Sequence, residues 1–347
     1  MSDEPLLSIR DLSVDFHTPD GVLSAVDHVS YDVYPGETVG VVGESGSGKS
    51  VAVQTVLGLT PTPLARIRSG EIRLGGRDLL QLSQRQMRRV RGREIAMVFQ
   101  DPMTSLNPVM TVGRQIDEAV QVHTAVSDDE ARARSIELLH TVGVSDAERR
   151  CTQYPHELSG GMRQRAMIAM AMANQPRVLI ADEPTTALDV TIQAQVLELL
   201  ETTTAQTQAG TILITHDLGL IAELCDRVIV MYAGTVVESG DVTAIFHTPR
   251  HPYTVGLMAS LPRLDAAVQR LEPIPGSPPS LLHPPPGCSF HPRCRLGAGR
   301  ERCRQEAPAL RSADACGHLA ACHYSEEIHA EISRVEATTG SRLSQDG

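Results

Sequence analysis

The sequence predicts an α/β protein with a mostly parallel sheet that helices cover on both faces. Three observations lead to this fold class. Apolar segments of strand length recur at 38–42, 178–181 and 211–215. Residues 6–34 alternate apolar and polar side chains, which adds antiparallel strands ahead of the first buried strand. Segments with helical periodicity follow or separate the strands, at roughly 51–59, 128–142, 159–174, 191–206 and 217–224.

Composition divides the chain into three parts. Residues 1–260 carry the alternating strands and helices, including a hairpin-like turn at Gly75–Gly76 and a strand at 94–99. Residues 261–287 are rich in proline, which blocks helices and central strands, and therefore predict a semi-rigid linker. Residues 288–347 hold five of the seven cysteines and form a Cys-rich extension.

The overall charge and hydropathy exclude some classes of function. The formal net charge of the 347-residue chain is −11, which argues against nucleic acid as a partner. The sequence has no apolar run of about 20 residues and no charged-then-apolar segment at its start. We therefore expect a soluble cytoplasmic protein, which leaves docking on a membrane protein open.

The segment Gly43–Ser50, GESGSGKS, fits the phosphate-binding motif G-x-x-x-x-G-K-[ST]. It contains the one lysine of the chain, Lys49, among 31 Lys and Arg residues in total. Every other residue of this basic pair of types is an arginine. We therefore expect that position 49 requires the compact ammonium group of lysine. A strand before the loop and a helix after it direct backbone N–H groups at an anion. The sequence predicts that Lys49 binds nucleotide phosphates and that Ser50 offers a hydroxyl to Mg²⁺.

A second group of candidates follows the apolar segment at 178–181. Asp182 ends this predicted strand, where its carboxylate would hold Mg²⁺ directly or through water. Glu183 is the next residue and is a candidate general base for an attacking water. Taken alone, two solvated acids at a strand end explain the pattern equally well. The phosphate loop elsewhere in the chain favours the catalytic interpretation.

The segment LSGGM, Leu158–Met162, adds an exposed backbone surface at a helix start. The order of GESGSGKS, Gln100, LSGGM, VLIADE, ALD and ITH resembles the ATP-binding subunits of ABC transporters. The segments FQDPMTSLNPV, TPRHPYT and GCSFHPRC are similar to those of dipeptide and oligopeptide permeases, whose subfamily includes nickel importers. The resemblance covers about 7–322. It implies a RecA-like core, a flanking antiparallel subdomain and a helical subdomain at about 107–172.

The resemblance also implies roles for individual residues. Glu183 would be the general base, His216 would steady it and bind the γ-phosphate, and Gln100 would sense Mg²⁺ and the attacking water. The implied Mg²⁺ ligands are Ser50, Gln100 and Asp182. The implied ATP contacts are Gly43, Ser45, Gly46, Gly48, Lys49, Ser50 and Asp182. Ser159, Gly160 and Gly161 would cap the γ-phosphate of ATP held by a partner subunit, and Asp189 would contact that subunit. Phe16 is the candidate for stacking on adenine, with a core phenylalanine as the alternative.

The cysteines of the extension follow the spacing C-x5-C-x8-C-x12-C-x5-C, which lacks the close pairs of a zinc finger. Thiolates suit iron–sulfur clusters or zinc. The resemblance implies a [4Fe–4S] cluster on Cys288, Cys294, Cys303 and Cys322, with Cys316 spare. Zinc, or thiols without metal, are the alternatives.

The partners implied by the resemblance complete a transporter. They are a second ATPase subunit, in a heterodimer or alternatively a homodimer, two transmembrane permease subunits, and an extracytoplasmic peptide-binding protein. The chain would then lie at the cytoplasmic face of the cell membrane as a peripheral subunit. Peptide import is the leading function, with import of nickel or another small solute as the alternative. A soluble ABC ATPase outside transport fits less well, because this chain carries each motif once.

Overall fold

The computed structural model describes residues 4–185, 190–260 and 273–328 and contains two β-sheets. The strands are β1 (Leu7–Thr18), β2 (Gly21–Val33), β3 (Thr38–Val42), β4 (Ala65–Leu74), β5 (Arg77–Asp78), β6 (Ile95–Val98), β7 (Val178–Asp182), β8 (Gly210–Ile214), β9 (Arg227–Tyr232), β10 (Thr235–Asp241), β11 (Arg311–Ser312) and β12 (Leu319–Ala320). The smaller sheet has the order β2-β1-β4-β5, and the larger has the order β11-β12-β10-β9-β3-β8-β7-β6.

Twelve α-helices accompany these strands within the described residues. They are α1 (Lys49–Val56), α2 (Gln84–Val90), α3 (Pro102–Ser105), α4 (Val112–Gln121), α5 (Asp128–Thr141), α6 (Ala147–Cys151), α7 (Gly160–Met172), α8 (Val190–Thr207), α9 (Leu218–Leu224), α10 (Val242–His247), α11 (Pro252–Ala259) and α12 (Glu301–Gln305). None of the described helices is long and apolar enough to cross a membrane.

The larger sheet has a parallel centre, as the sequence predicts. Strands β6, β7, β8, β3 and β9 are parallel neighbours, and β3 lies between β8 and β9. Alternate side chains along these strands enter two separate cores: Ile180 and Ile212 pack on one face, and Leu179 and Leu213 pack on the other. Because both faces are buried, the strands are almost wholly apolar. Parallel strands also bring their carboxyl ends to one edge, where the candidate residues follow them.

The smaller sheet is antiparallel, which confirms the prediction from the alternating residues at 6–34. Leu7, Ile9, Leu12 and Val14 of β1 are fully buried. Between them, Arg10 and Asp11 are exposed, whereas Ser8 and Ser13 are buried. These side chains share one core with α1 and with one face of the larger sheet. The small sheet therefore braces the start of the helix that follows the phosphate motif.

Helices α4 to α7 form a layer that carries the LSGGM segment. Helix α5 begins with a capping box, in which the Ser127 hydroxyl and the Glu130 carboxylate satisfy each other's backbone N–H groups. Asp117 of α4 accepts hydrogen bonds from Arg132 and Ser135 of α5, at 2.6 Å each. This partly buried polar link joins α4 to α5, and both helices pack against α7.

The described part of the cysteine-rich extension contributes β11 and β12 to the larger sheet. Strand β12 pairs with β10, and the Ala321 N–H donates to the Val237 carbonyl at 2.8 Å. Glu238 of β10 is fully buried, and it accepts from the His318 ring at 2.7 Å and from the His251 N–H at 2.9 Å. The sequence predicts a linker at 261–287 followed by an extension, and the described part of that extension completes one edge of the larger sheet.

Candidate nucleotide-binding site

The phosphate motif forms a tight loop between β3 and α1. Gly48 caps α1 in the left-handed conformation, with φ of 98°, and a Cβ there would lie 2.3 Å from the Ala25 carbonyl oxygen. A Cβ on Gly43 would lie 2.2 Å from the Met231 carbonyl oxygen. Since no larger side chain fits either position, both glycines are required by the path of the loop. Ser45 and Gly46, at the tip of the loop, are exposed.

Lys49 is directed back into this loop. Its Nζ donates to the carbonyl oxygens of Gly43 at 2.7 Å and Glu44 at 2.9 Å. The side chain is buried, and burial lowers the pKa of Lys49, while the carboxylates of Glu183, Asp182 and Glu44 oppose that shift. A buried ammonium surrounded by loop carbonyls is placed to bind an anion that the loop encloses.

Ser50 and Asp182 lie side by side, although 132 residues separate them in the chain. The Ser50 hydroxyl donates to the Asp182 carboxylate at 3.1 Å. Burial raises the pKa of Asp182, and the Ser50 hydrogen bond opposes the shift. Two hard oxygen donors beside a phosphate loop fit the ligand preference of Mg²⁺. The structure thus brings together two of the predicted Mg²⁺ ligands.

Glu183 lies at the strand end in a conformation that few residues other than glycine adopt. Its φ is 47°, and its N–H donates to the Ile214 carbonyl at 2.8 Å, so the backbone turns directly after β7. The turn directs the carboxylate toward the two other predicted catalytic residues. Gln100 donates from Nε2 to one carboxylate oxygen at 2.8 Å, and His216 Nδ1 lies 3.6 Å from the other. Backbone strain of this kind is concentrated at functional sites.

The LSGGM segment is at the surface. Ser159 is the N-cap of α7, and its hydroxyl accepts from the Met162 N–H at 3.3 Å. Ser159 and Gly160 are exposed, Gly161 is half-buried, and a Cβ on Gly160 would meet no atom within 4 Å. Ser159 and Gly160 at the start of this helix are therefore accessible, and their role in binding an anion stays a prediction.

Phe16 and Asp189 are the remaining predicted residues. Phe16 is half-buried on β1 and packs against the core that the two sheets share. This placement fits the core alternative and leaves the stacking role a prediction. Asp189 lies outside the described residues, as do 261–272 of the predicted linker and the extension beyond 328.

Comparison with known families and proteins identifies the class of protein to which this site belongs. Residues 26–186 match the family described as ABC transporter, and residues 237–303 match the family described as oligopeptide/dipeptide transporter, C-terminal region. A probable peptide ABC transporter ATP-binding protein of Sinorhizobium fredii is 53% identical over 324 residues, which cover 93% of this chain and 96% of that protein. The chain is an ABC transporter ATP-binding protein.

Other relatives and solved structures agree with the assignment of this chain to the ABC ATPases. The dipeptide transport ATP-binding protein DppD of Bacillus subtilis is 52% identical, over 84% of this chain and 87% of that protein. The oligopeptide transport ATP-binding protein OppD of the same species is 48% identical, over 95% and 91%. The dimeric ATP-binding cassette MJ0796, in a post-hydrolysis state bound to ADP and Pi, aligns with a TM-score of 0.62 at 26% identity, over 68% of this chain and 98% of that chain.

The structure of the ABC ATPase adds one residue to the site that was not predicted from the sequence. Gln164 of α7 is buried, and its Nε2 donates to the Pro184 carbonyl at 2.5 Å. Pro184 directly follows Glu183, so this bond ties the helix of the LSGGM segment to the catalytic strand end. Gln164 lies within the LSGGMRQR stretch, and its position in that motif was the one available signal.

The cysteines of the ABC ATPase come together in the fold. Cys288, Cys294, Cys303 and Cys322 line one small cavity, whereas Cys316 is exposed. Burial raises the pKa of Cys294 to about 11 and that of Cys322 to about 12. Within the described ranges, no group of three or more His, Cys, Asp or Glu side chains is arranged to hold a metal ion.

Proposed function

We propose that this ABC ATPase powers the import of dipeptides or oligopeptides through a membrane permease. The match of residues 237–303 to the C-terminal region of oligopeptide/dipeptide transporters carries the proposal. Those residues form the segment that extends from β10 into the cysteine-rich extension, beyond the ATPase motifs. The relatives named above are described as peptide, dipeptide and oligopeptide transport proteins, which supports the same solute class.

Binding of ATP would use the loop between β3 and α1. Lys49 would exchange its contacts with loop carbonyls for phosphate oxygens, and the exposed N–H groups at Ser45 and Gly46 would surround the phosphates. Ser50, Asp182 and Gln100 would hold Mg²⁺. When bound, Mg²⁺ supplies positive charge that offsets charge on the phosphates.

Hydrolysis would depend on the strained residue after β7. Glu183 would accept a proton from the attacking water, because its carboxylate is held by Gln100 on one oxygen and lies near His216 on the other. His216 is largely exposed, which leaves its ring free to approach a phosphate. Fixing the base before the substrate arrives reduces the reorganisation that the reaction requires.

Completion of the site would need a second ATPase subunit. Ser159, Gly160 and Gly161 would cap the γ-phosphate of ATP bound to that subunit, and Asp189 would contact it. The exposure of the first two residues supports this role, and the similar cassette MJ0796 is described as dimeric. We favour a heterodimer, with a homodimer as the alternative. ATP would then stabilise the closed dimer and hydrolysis would release it.

The remaining partners follow from the transport role. Two permease subunits would receive the conformational change at the cytoplasmic face of the membrane, and an extracytoplasmic protein would deliver the peptide. The ATPase would not touch the peptide, so solute specificity would belong to these partners.

The transport proposal predicts that solute controls the rate of ATP hydrolysis. In liposomes that contain the complete complex and its binding protein, short peptides should stimulate ATP hydrolysis several-fold above the basal rate. The measurement is phosphate release with a panel of dipeptides, longer peptides, Ni²⁺ and free amino acids. Stimulation by Ni²⁺ alone, or by nothing in the panel while basal hydrolysis persists, would contradict peptide import and leave the ATPase assignment standing.

For the cysteine-rich extension we propose a [4Fe–4S] cluster on Cys288, Cys294, Cys303 and Cys322. The shared cavity supports it, since thiolate sulfur is the usual ligand for such clusters. Zinc on the same thiolates, or thiols without metal, are the alternatives. A cluster would staple a segment with little core of its own.

This cluster proposal predicts about four iron and four sulfide per chain after anaerobic purification. Cys303→Ser should lose most of both, whereas Cys316→Ser, which changes an exposed cysteine, should retain them. Elemental analysis and the visible absorption spectrum are the measurements. Wild-type protein that carries zinc, or carries no metal while its extension is folded, would refute the cluster.

A further inference from the structure

Glu44 is a charged residue in the phosphate loop, directly after Gly43, and each of its groups has a partner. Its N–H donates to the Tyr253 hydroxyl at 2.7 Å, and its carbonyl accepts from Lys49 at 2.9 Å. Its carboxylate accepts from the two terminal nitrogens of Arg293, at 2.6 and 2.9 Å. The first half of the loop is therefore held by residues of the C-terminal region, 209 and 249 positions further along the chain.

Arg293 is fixed by its surroundings. Its side chain is 5% exposed, and its Nε donates to the Pro275 carbonyl at 2.9 Å. The Tyr232, Tyr253 and Phe290 rings pack on one another beside it, with centroids 4.7 to 5.4 Å apart. The guanidinium therefore meets the carboxylate in a defined bidentate geometry, which a lysine could not reproduce.

The negative charge on Glu44 disfavours binding of an anion by the loop. A carboxylate in a loop that binds a triphosphate repels its ligand, and partial burial strengthens the repulsion because screening by water is reduced. The positive guanidinium of Arg293 offsets the negative charge of the Glu44 carboxylate. It also fixes the loop backbone before nucleotide binds. Binding to a loop that is already ordered costs less conformational entropy.

We propose that Arg293 is a positioning residue of the ATP site, through which the cysteine-rich extension sets the affinity of the phosphate loop for nucleotide. The residue lies between Cys288 and Cys294 in sequence and follows Phe290 on a short turn of 3₁₀ helix, His291–Arg293. The inference rests on the assignment of Gly43–Ser50 to ATP. It adds that the extension acts on ATP binding itself.

The test measures binding of AMP-PNP with Mg²⁺ to the full chain. Arg293→Gln should weaken binding about tenfold, a typical coupling between two sites. Adding Glu44→Gln to that variant should restore affinity to within a few-fold of the wild type, because the repelling carboxylate is then gone. In steady-state hydrolysis, Arg293→Gln should raise the KM for ATP more than it changes kcat. A purely structural role would instead reduce the folded fraction and leave the affinity of the remainder unchanged.

Controls separate this inference from the assignment on which it rests. Arg304 is an exposed arginine in the same extension, and the Arg304→Gln variant should bind AMP-PNP like the wild type. Lys49→Met should weaken binding about a hundredfold, and wild-type affinity there would refute the loop assignment itself. Wild-type affinity in Arg293→Gln, or a double variant as weak as that single one, would overturn the positioning role. If Arg293→Gln does not fold, Arg293→Lys tests the proposal instead, because an ammonium keeps the charge without the bidentate contact. Wild-type affinity of Arg293→Lys would overturn the proposal.

Discussion

Replacing Glu183 by glutamine is expected to reduce the turnover number for ATP about a thousandfold, within the range that general-base catalysis contributes. The amide keeps the size of the side chain and can still pair with Gln100, which lies 2.8 Å away. It cannot accept the proton of the attacking water. Affinity for ATP should stay within about threefold of the wild type, because Lys49 and the loop backbone are unchanged. Phosphate release and equilibrium ATP binding measure the two quantities.

Glu223→Gln is the matched control, since it makes the same exchange at an exposed carboxylate on α9. Its turnover number should equal that of the wild type. A Glu183→Gln variant that hydrolyses ATP at the wild-type rate would move the role of base to another residue. A variant that loses ATP binding as well would show that the carboxylate supports the loop rather than the chemical step.

Replacing Lys49 by methionine is expected to weaken ATP binding about a hundredfold, since two charge-assisted hydrogen bonds of about 1.5 kcal/mol each would be lost. Methionine preserves most of the apolar stem that lies buried between the loop and α1. Lys49→Arg should recover little of the loss, because the space bounded by the carbonyls of Gly43 and Glu44 suits a compact ammonium. Titration with AMP-PNP and Mg²⁺ measures the affinity.

Arg66→Lys serves as the control for exchange between the two cations, at an exposed position on β4. It should bind AMP-PNP like the wild type. Equal affinity of Lys49→Met and the wild type would contradict the assignment of the phosphate loop. Full recovery in Lys49→Arg would show that charge alone matters and that the shape of the loop does not select lysine.

The sequence predicted the parts of the site that depend on local pattern. The loop before α1, the acids at the end of β7 and the residue after the strand at 211–215 could be placed because parallel strands end at one edge. The signal for Glu183 was its place at the strand end. Its left-handed backbone, with φ of 47°, could not be read from sequence, because it results from the hydrogen bond to Ile214 on the next strand.

Contacts between distant segments could not be predicted in this way. Nothing in the local pattern pairs Glu44 with Arg293, since 249 positions separate them and neither side chain belongs to a periodic element. The same holds for the pairing of β12 with β10, because two-residue strands carry too little pattern. These contacts result from tertiary packing, so they become visible only in the three-dimensional structure.

The pairing of β12 with β10 also bears on the solubility of the folded chain. Without β12, the Val237 carbonyl and its neighbours on β10 would form an open edge that another molecule could extend. The buried carboxylate of Glu238 would at the same time lose the His318 ring. A shortened protein that ended in the linker would keep every ATPase motif yet expose a strand prone to edge-to-edge aggregation. Through β12, the extension therefore covers the part of the β10 edge at Glu238 and Ser239.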